Sequence, residues 1–295
     1  MKTININIII SLLILLPLCS RAQHGVSYNQ FGQLRNSFNS SLSTMDSQGS
    51  FSMLGRTQWV GVDGAPKSLW ATGHGQVKSL GLAIGADVKH AGLGVVKENE
   101  LSVFAAKAVR LDEDEYLSLS MGGGFLFYQG DYSQLDGTDQ AFREDVREST
   151  GILSISTSYY KKDRYYVGLS MPRFTLARDN RQEYEFRNVY YISAGALFRL
   201  DDTFYLRPSF LVSHMDNLTP RYDVSALVFM GRKFGLGMGV QNQGDLSGLM
   251  QLNFGSFGVG YSYQFSVNGH TLNQRISNNT HEFGLRYKIG GITIL

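Results

Sequence analysis

The run FGVGYSYQFSV, residues 257–267, alternates without a break. Phe257, Val259, Tyr261, Tyr263, Phe265 and Val267 fall on one face, and Gly258, Gly260, Ser262, Gln264 and Ser266 on the other. A period of two is the signature of a strand with one apolar side. The pattern recurs. KFGLGMGVQ sets Phe234, Leu236, Met238 and Val240 against three glycines. DLSGLMQLNF sets Leu246, Met250, Leu252 and Phe254 against Asp245, Ser247, Gln251 and Asn253. HEFGLRYKI sets Phe283, Leu285, Tyr287 and Ile289 against Glu282, Gly284, Arg286 and Lys288. Beyond the first residues no stretch has the period or length of a spanning or long amphipathic helix.

Alternation alone allows a soluble sandwich or a membrane barrel, and three features favour the barrel. The runs are about 9–12 residues long, which crosses a bilayer on a tilt, whereas a soluble strand averages about 5–6. Several apolar faces end in Tyr, Trp or Phe, as an interfacial girdle requires. The connections also alternate in length. About fourteen runs begin near Phe51, Leu69, Leu80, Glu100, Tyr116, Ile152, Tyr165, Val189, Phe204, Tyr222, Phe234, Leu246, Phe257 and Phe283. Short turns (78–79, 112–115, 161–164, 201–203, 231–233, 255–256) alternate with mostly longer loops (62–68, 90–99, 131–150, 175–188, 215–220, 268–280). Outer-membrane barrels pair short periplasmic turns with longer external loops. The expected fold is therefore all-β: a transmembrane outer-membrane β-barrel of about fourteen antiparallel strands. Its polar face, rich in Gly and Ser, suits a wet or partly plugged interior, and the glycines at 122–124 read as bends or bulges.

Composition agrees. Charged residues are 18% of the chain, against about 25% in a typical soluble domain. The formal net charge of +2 gives no field for nucleic acid. The start, MKTININIIISLLILLPLCSRAQ, has the basic end, apolar run and small-residue exit of a secretory signal. The expected organisation is a signal peptide at 1–22 cleaved after Ala22, an irregular polar leader at 23–49 holding one more strand or a plug, and the barrel at 50–295. A lipoprotein anchored at Cys19 is the rival, disfavoured by Leu18 just before it. Cys19 is the only cysteine. The mature chain then has no thiol chemistry.

Candidate chemistry is sparse. The histidines, His24, His74, His90, His214, His270 and His281, form no HExxH or other tight ligand pair. No GxSxG elbow appears, and a wall-mounted lipid hydrolase would need Ser79, Ser154 or Ser170 beside a His on the lipid face. The Gly-rich stretches 121–125 and 235–239 lie within strands and lack the helix that makes a phosphate cradle. No catalytic, cofactor or metal residue is assigned. The charge run at 143–148 and the stretch at 176–188 read as solvated external loops, with partner docking as the sharper alternative.

One block remains: RTQWVGVDGAPKS, residues 56–68. Asp63-Gly64 is a turn pair, and Ala65 is held extended by Pro66. Arg56, Gln58, Trp59, Gly61, Asp63, Gly64, Ala65, Pro66 and Lys67 at this spacing resemble the signature of the PorP/SprF family of the Bacteroidetes type IX secretion system. RYYVGLSMPRF (164–174), NVYYISAGALFRL (188–200), YLRPSFLVSH (205–214) and THEFGLRYKI (280–289) follow in the family's order. The chain departs from the family in lacking an NPAYAG-like stretch before the first block and in ending GGITIL rather than on an aromatic. The resemblance implies an outer-membrane barrel without catalytic activity or cofactor. It implies work with the secretion machinery or periplasmic peptidoglycan-associated components. It also implies export or surface retention of cargo with C-terminal sorting domains, gliding adhesins among them. A passive channel for small solutes is the alternative. Within the block, Trp59 is expected to anchor at the outer interface and residues 63–66 to fix the turn. On that reading Asp63→Ala and Lys67→Ala lower heat stability. Direct contact with a partner is the other reading.

Overall fold

The computed structural model describes residues 28–135, 144–176, 184–242, 244–266, 279–290 and 294–295. Cleavage at Ala22, with His24 and His270, lies outside them. The strands are β1 (Gly49–Gln58), β2 (Lys67–Val77), β3 (Leu82–Leu93), β4 (Val96–Asp112), β5 (Glu115–Gly130), β6 (Val146–Lys161), β7 (Tyr165–Thr175), β8 (Val189–Ala196), β9 (Phe198–Arg199), β10 (Phe204–Met215), β11 (Arg221–Met230), β12 (Phe234–Gln241), β13 (Asp245–Phe254), β14 (Phe257–Ser266) and β15 (Thr280–Lys288). All pairings are antiparallel and join sequence neighbours, except that β8 pairs with β10, and β15 returns to pair with β1. β8 and β9 are two halves of one wall strand on β10, so the barrel is closed by fourteen strands. The break at Leu197 falls between the two halves' pairings, and the same register sets the preceding residue, Ala196, opposite Pro208, which has no N–H to give to a ladder. Closure leaves no sheet edge in lipid.

The alternation settles which face is which. Leu236, Met238 and Val240 are about half exposed on the outside, while Ser262 and Gln264 are buried within. Two aromatic zones bracket the outer face. Phe254 and Phe257 stack at the short-turn end with Tyr287 tilted against Phe257, and Tyr261, Tyr263, Phe265 and His281 cluster at the long-loop end.

Three local expectations change. Residues 90–99 are not a loop: β3 and β4 continue to a two-residue turn at Gly94 and Val95, where Gly94 supplies the positive φ of 57°. β6 begins at Val146, so the 131–150 loop is shorter than its charge pattern suggests. The glycines at 122–124 are neither bend nor bulge. Their register with β4 is continuous, and a Cβ on Gly124 would stand 2.0 Å from the Leu101 carbonyl oxygen. Register shifts occur instead between Arg110 and Asp112, Leu153 and Ile155, and Ser170 and Arg173.

The lumen is filled. Residues 28–46 run down it from the long-loop end, beside Ser68 and Glu282, to the short-turn end, where β1 starts. They include one helical turn, Arg35–Phe38, and a 3-10 helix, Ser40–Met45. Ile294 and Leu295 also return inside, Leu295 against Leu42, Met45, Tyr160 and Tyr166, and Ile294 against Leu227, Phe229 and Leu249.

Candidate functional site

Three anchors hold the plug. At the short-turn end Asp46, fully buried, accepts from Ser50 Oγ at 2.9 Å and Asn36 Nδ2 at 3.2 Å. Lys288 Nζ lies 2.8 Å from it, Arg286 3.4 Å, His74 3.4 Å and Arg35 3.8 Å. Burial alone would raise its pKa, but Arg286, His74, Lys288 and Arg35 together hold the carboxyl well below the usual carboxylate range. Wall and plug contribute to the same cluster, so one carboxylate joins both.

Mid-lumen, the polar run at 39–44 meets a ladder of wall hydroxyls. Asn39 Oδ1 caps the 3-10 helix by accepting from Ser41 N–H at 3.1 Å. Its Nδ2 donates to the Thr157 carbonyl at 3.0 Å. Ser40 bonds Ser120 and Ser156, Ser41 bonds Ser158, and Thr44 bonds Ser118. Small residues make room: a Cβ on Gly168 would stand 2.3 Å from Asn39 Nδ2, and one on Gly260 2.1 Å from Gln30 Oε1.

At the long-loop end Glu282 accepts the backbone N–H of Asn29 at 2.9 Å and of Gln30 at 3.2 Å. Arg56 pairs with the same carboxylate, and both are buried. Asn29 also contacts Gln264 and Gln241. Above this level Tyr184 and Phe186 fold over the mouth against Tyr128, Leu126 and Ile152. Tyr184 donates to Glu98, whose neighbour Glu100 bridges Lys89 and Arg173. Two of the cavities between plug and wall measure about 10 and 20 Å³, each near the size of one water.

The 56–68 block divides between lumen and rim. Arg56 points inward. Gln58 N–H donates to the Pro66 carbonyl at 3.0 Å and closes the base of the loop. Trp59 is half-buried with φ 48°, uncommon for so bulky a residue, and its carbonyl accepts Val62 N–H at 3.0 Å. Gly61 and Gly64 take φ of 93° and 72°. The Gly64 carbonyl accepts Gly94 N–H at 2.8 Å, and the Val95 carbonyl accepts Asp131 N–H at 3.0 Å. Three successive outer connections are thus stitched into one ledge. Ala65 and Pro66 are half-buried in it, and Asp63 and Lys67 are exposed. The sequence signalled the turn but not this lateral stitching, which depends on the next hairpin being tight. It also gave no sign that Arg56 belongs to the plug anchor.

The other candidates scatter. Ser154 and Ser170 face the lumen, where Ser170 donates to the Phe38 carbonyl at 2.5 Å, and Ser79 lies in the β2–β3 turn. His74 belongs to the Asp46 cluster. His90 bonds Asn99, His214 stacks on Tyr190 and His281 bonds Tyr261. Among the described residues no three His, Cys, Asp or Glu are grouped to hold a metal. In the charge run, Asp145 accepts from Ser133 and Val146 opens β6, while residue 143 and residues 177–183 lie outside the described part.

A closed fourteen-strand barrel with an apolar outside, aromatic zones and paired turn lengths is the fold of an outer-membrane protein. Solved structures agree on that fold. The CymD monoaromatic hydrocarbon channel is 11% identical, with 91% of this chain and 95% of that one covered and a TM-score of 0.54. A ΔS2S3 mutant of the TodX monoaromatic hydrocarbon channel is 7% identical, with 84% and 92% covered and a TM-score of 0.50. No curated protein matches the chain. The model of the PorP/SprF family, type IX secretion system membrane proteins, matches residues 20–287. The chain belongs to that family.

Proposed function

We propose that this barrel is a non-enzymatic accessory of type IX secretion that binds cargo proteins with C-terminal sorting domains, of the gliding-adhesin kind, at its outer rim. Through its periplasmic turns it meets the secretion machinery or peptidoglycan-associated components. Signal cleavage at Ala22 delivers it to the outer membrane. The observation that carries this reading is the filled lumen. Plug side chains occupy the lumen along residues 28–46, and two of the gaps beside them are each near the size of one water, so binding falls to the two rims. The stitched ledge at residues 59–66, 94–95 and 131–135 offers a rigid outer surface, with Asp63 and Lys67 free to meet a partner.

The test has two arms. Deleting the gene should abolish surface display of a dependent cargo, and that cargo should co-purify with the tagged barrel from native membranes. Unchanged display with no co-purifying cargo overturns the proposal. In planar bilayers the purified barrel should be silent. Steady open conductance would favour a passive channel for small solutes instead.

A further inference from the structure

Buried cations of the lumen mostly sit beside a carboxylate, as Arg56 does with Glu282 and Arg221 with Asp223. Arg35, Arg286 and Lys288 share Asp46. Arg207 stands apart. Its Nη1 donates to the Ile294 carbonyl at 2.8 Å and its Nη2 to Gln251 Oε1 at 3.0 Å, both neutral acceptors. Its guanidinium also lies over the face of Phe229, 5.0 Å from the ring centroid. It is 3% exposed, and among the described residues no carboxylate pairs with it. A buried guanidinium without a counter-charge is costly.

Several donors near it are unused. Arg207 Nε, Gln33 Nε2, Gln30 Nε2 and Ser209 Oγ are all buried without a partner. Arg207, Gln30 and Gln33 line the cavity of about 10 Å³ between plug and wall, together with Gly32, and no carboxylate lines it. Gly32 keeps this seam open: a Cβ there would stand 2.6 Å from Ser209 Oγ and 4.0 Å from Arg207 Nε. Both amide atoms of Gln30 lack partners, so its amide can turn Nε2 toward the gap. A cluster of donors around one uncompensated cation, in a cavity near one water in size, selects a small anion.

We propose that Arg207, Gln33, Gln30 and Ser209 bind one halide-class anion, chloride in the cell, that ties the plug to the β10–β13 wall. Water fits the volume but supplies no charge. Oxyanions such as sulfate are too large. The site is independent of cargo binding and stands whether or not the function proposed above holds.

The full-length barrel, folded in detergent, is heated in sodium chloride, bromide or gluconate at matched ionic strength. Unfolding is followed by gel shift. Chloride and bromide should raise Tm saturably, by about 3–6 °C at ten times the Kd. Gln33→Glu brings its own carboxylate and should lose this response while Asp63→Ala keeps it. Crystals grown in bromide should show an anomalous peak between Arg207 and Gln33. An equal Tm in gluconate and chloride, an unchanged halide response in Gln33→Glu, or a bromide crystal without that peak overturns the proposal. In those cases a water or a carboxylate of the chain completes the cavity.

Discussion

Arg56 and Glu282 are direct partners across the seam where the first and last strands close the barrel, and they form an ion pair inside the lumen. Glu282 at the same time accepts the backbone N–H of Asn29 and Gln30. Closure of the wall and seating of the plug therefore meet at one carboxylate. Glu282→Gln keeps the shape and removes the charge, leaving Arg56 buried without a counter-ion. Losing one partner of a buried pair costs about 3–5 kcal/mol. Urea titration of the detergent-folded barrel should show that loss. The double variant Arg56→Gln/Glu282→Gln should be more stable than the sum of the single losses predicts, and strict additivity would mean that the pair is not coupled.

Asp46 makes the stability sensitive to acid in a defined direction. Its folded-state pKa lies well below the ordinary value, while the unfolded chain titrates near about 3.9. A depressed carboxyl contributes fully above the unfolded value and is lost as pH falls through the folded one. Gel-shift temperatures should hold from neutral pH to about pH 5 as far as this group is concerned, then fall below about pH 4. Asp46→Asn should be less stable at neutral pH, because four basic groups lose their shared anion, and should show a shallower acid fall. A parallel acid fall in the variant would assign the effect to other carboxyls.

Much of this was legible in the sequence, for physical reasons that differ by element. The wall was legible because lipid enforces strict alternation: a single slipped residue in FGVGYSYQFSV would put Ser262 and Gln264 in the bilayer. Turn parity was legible where loops carried charge or Gly, and failed at 90–99. There His90 and Asn99 look like loop residues but bond to each other on strands that continue to the turn at Gly94 and Val95. The plug was harder to read. Residues 28–46 have no period because their partners are wall residues far away in sequence, as with Ser41 and Ser158. The cue was on the wall: Gly168 and Gly260 face inward because plug side chains occupy the space of a Cβ. A Gly- and Ser-rich inner face thus suits a plug as well as water.

The plug can be removed as a test of what fills the lumen. A variant lacking residues 28–46 loses the buried partners of Glu282 and of the serine ladder. Where it folds, it should conduct ions in planar bilayers while the wild type stays closed. Wall substitutions provide a second route. Gly260→Val would place atoms where Gln30 and Gln33 now sit, 2.1 and 2.2 Å from the new Cβ. It should loosen the plug, raise protease sensitivity at the plug and lower the gel-shift temperature. A Gly260→Val barrel as resistant and as silent as wild type would show that the plug does not pack as described.

The 56–68 block yields a separation of roles within five residues, 63–67. Gly64 carries a φ of 72°, and its carbonyl holds the next hairpin through Gly94. Gly64→Val meets both the backbone conformation and the Gly94 Cα, 3.2 Å from an ideal Cβ, and should lower stability by about 1–3 kcal/mol. Asp63 and Lys67 are exposed and contribute no side-chain bond to the ledge. Their alanine variants should therefore stay within about 0.5 kcal/mol of wild type, contrary to what turn chemistry alone suggests. If these side chains serve a partner, the same variants should lose cargo co-purification at unchanged gel-shift temperature. A fall in heat stability for Asp63→Ala or Lys67→Ala, with cargo still bound, would return both residues to a structural role.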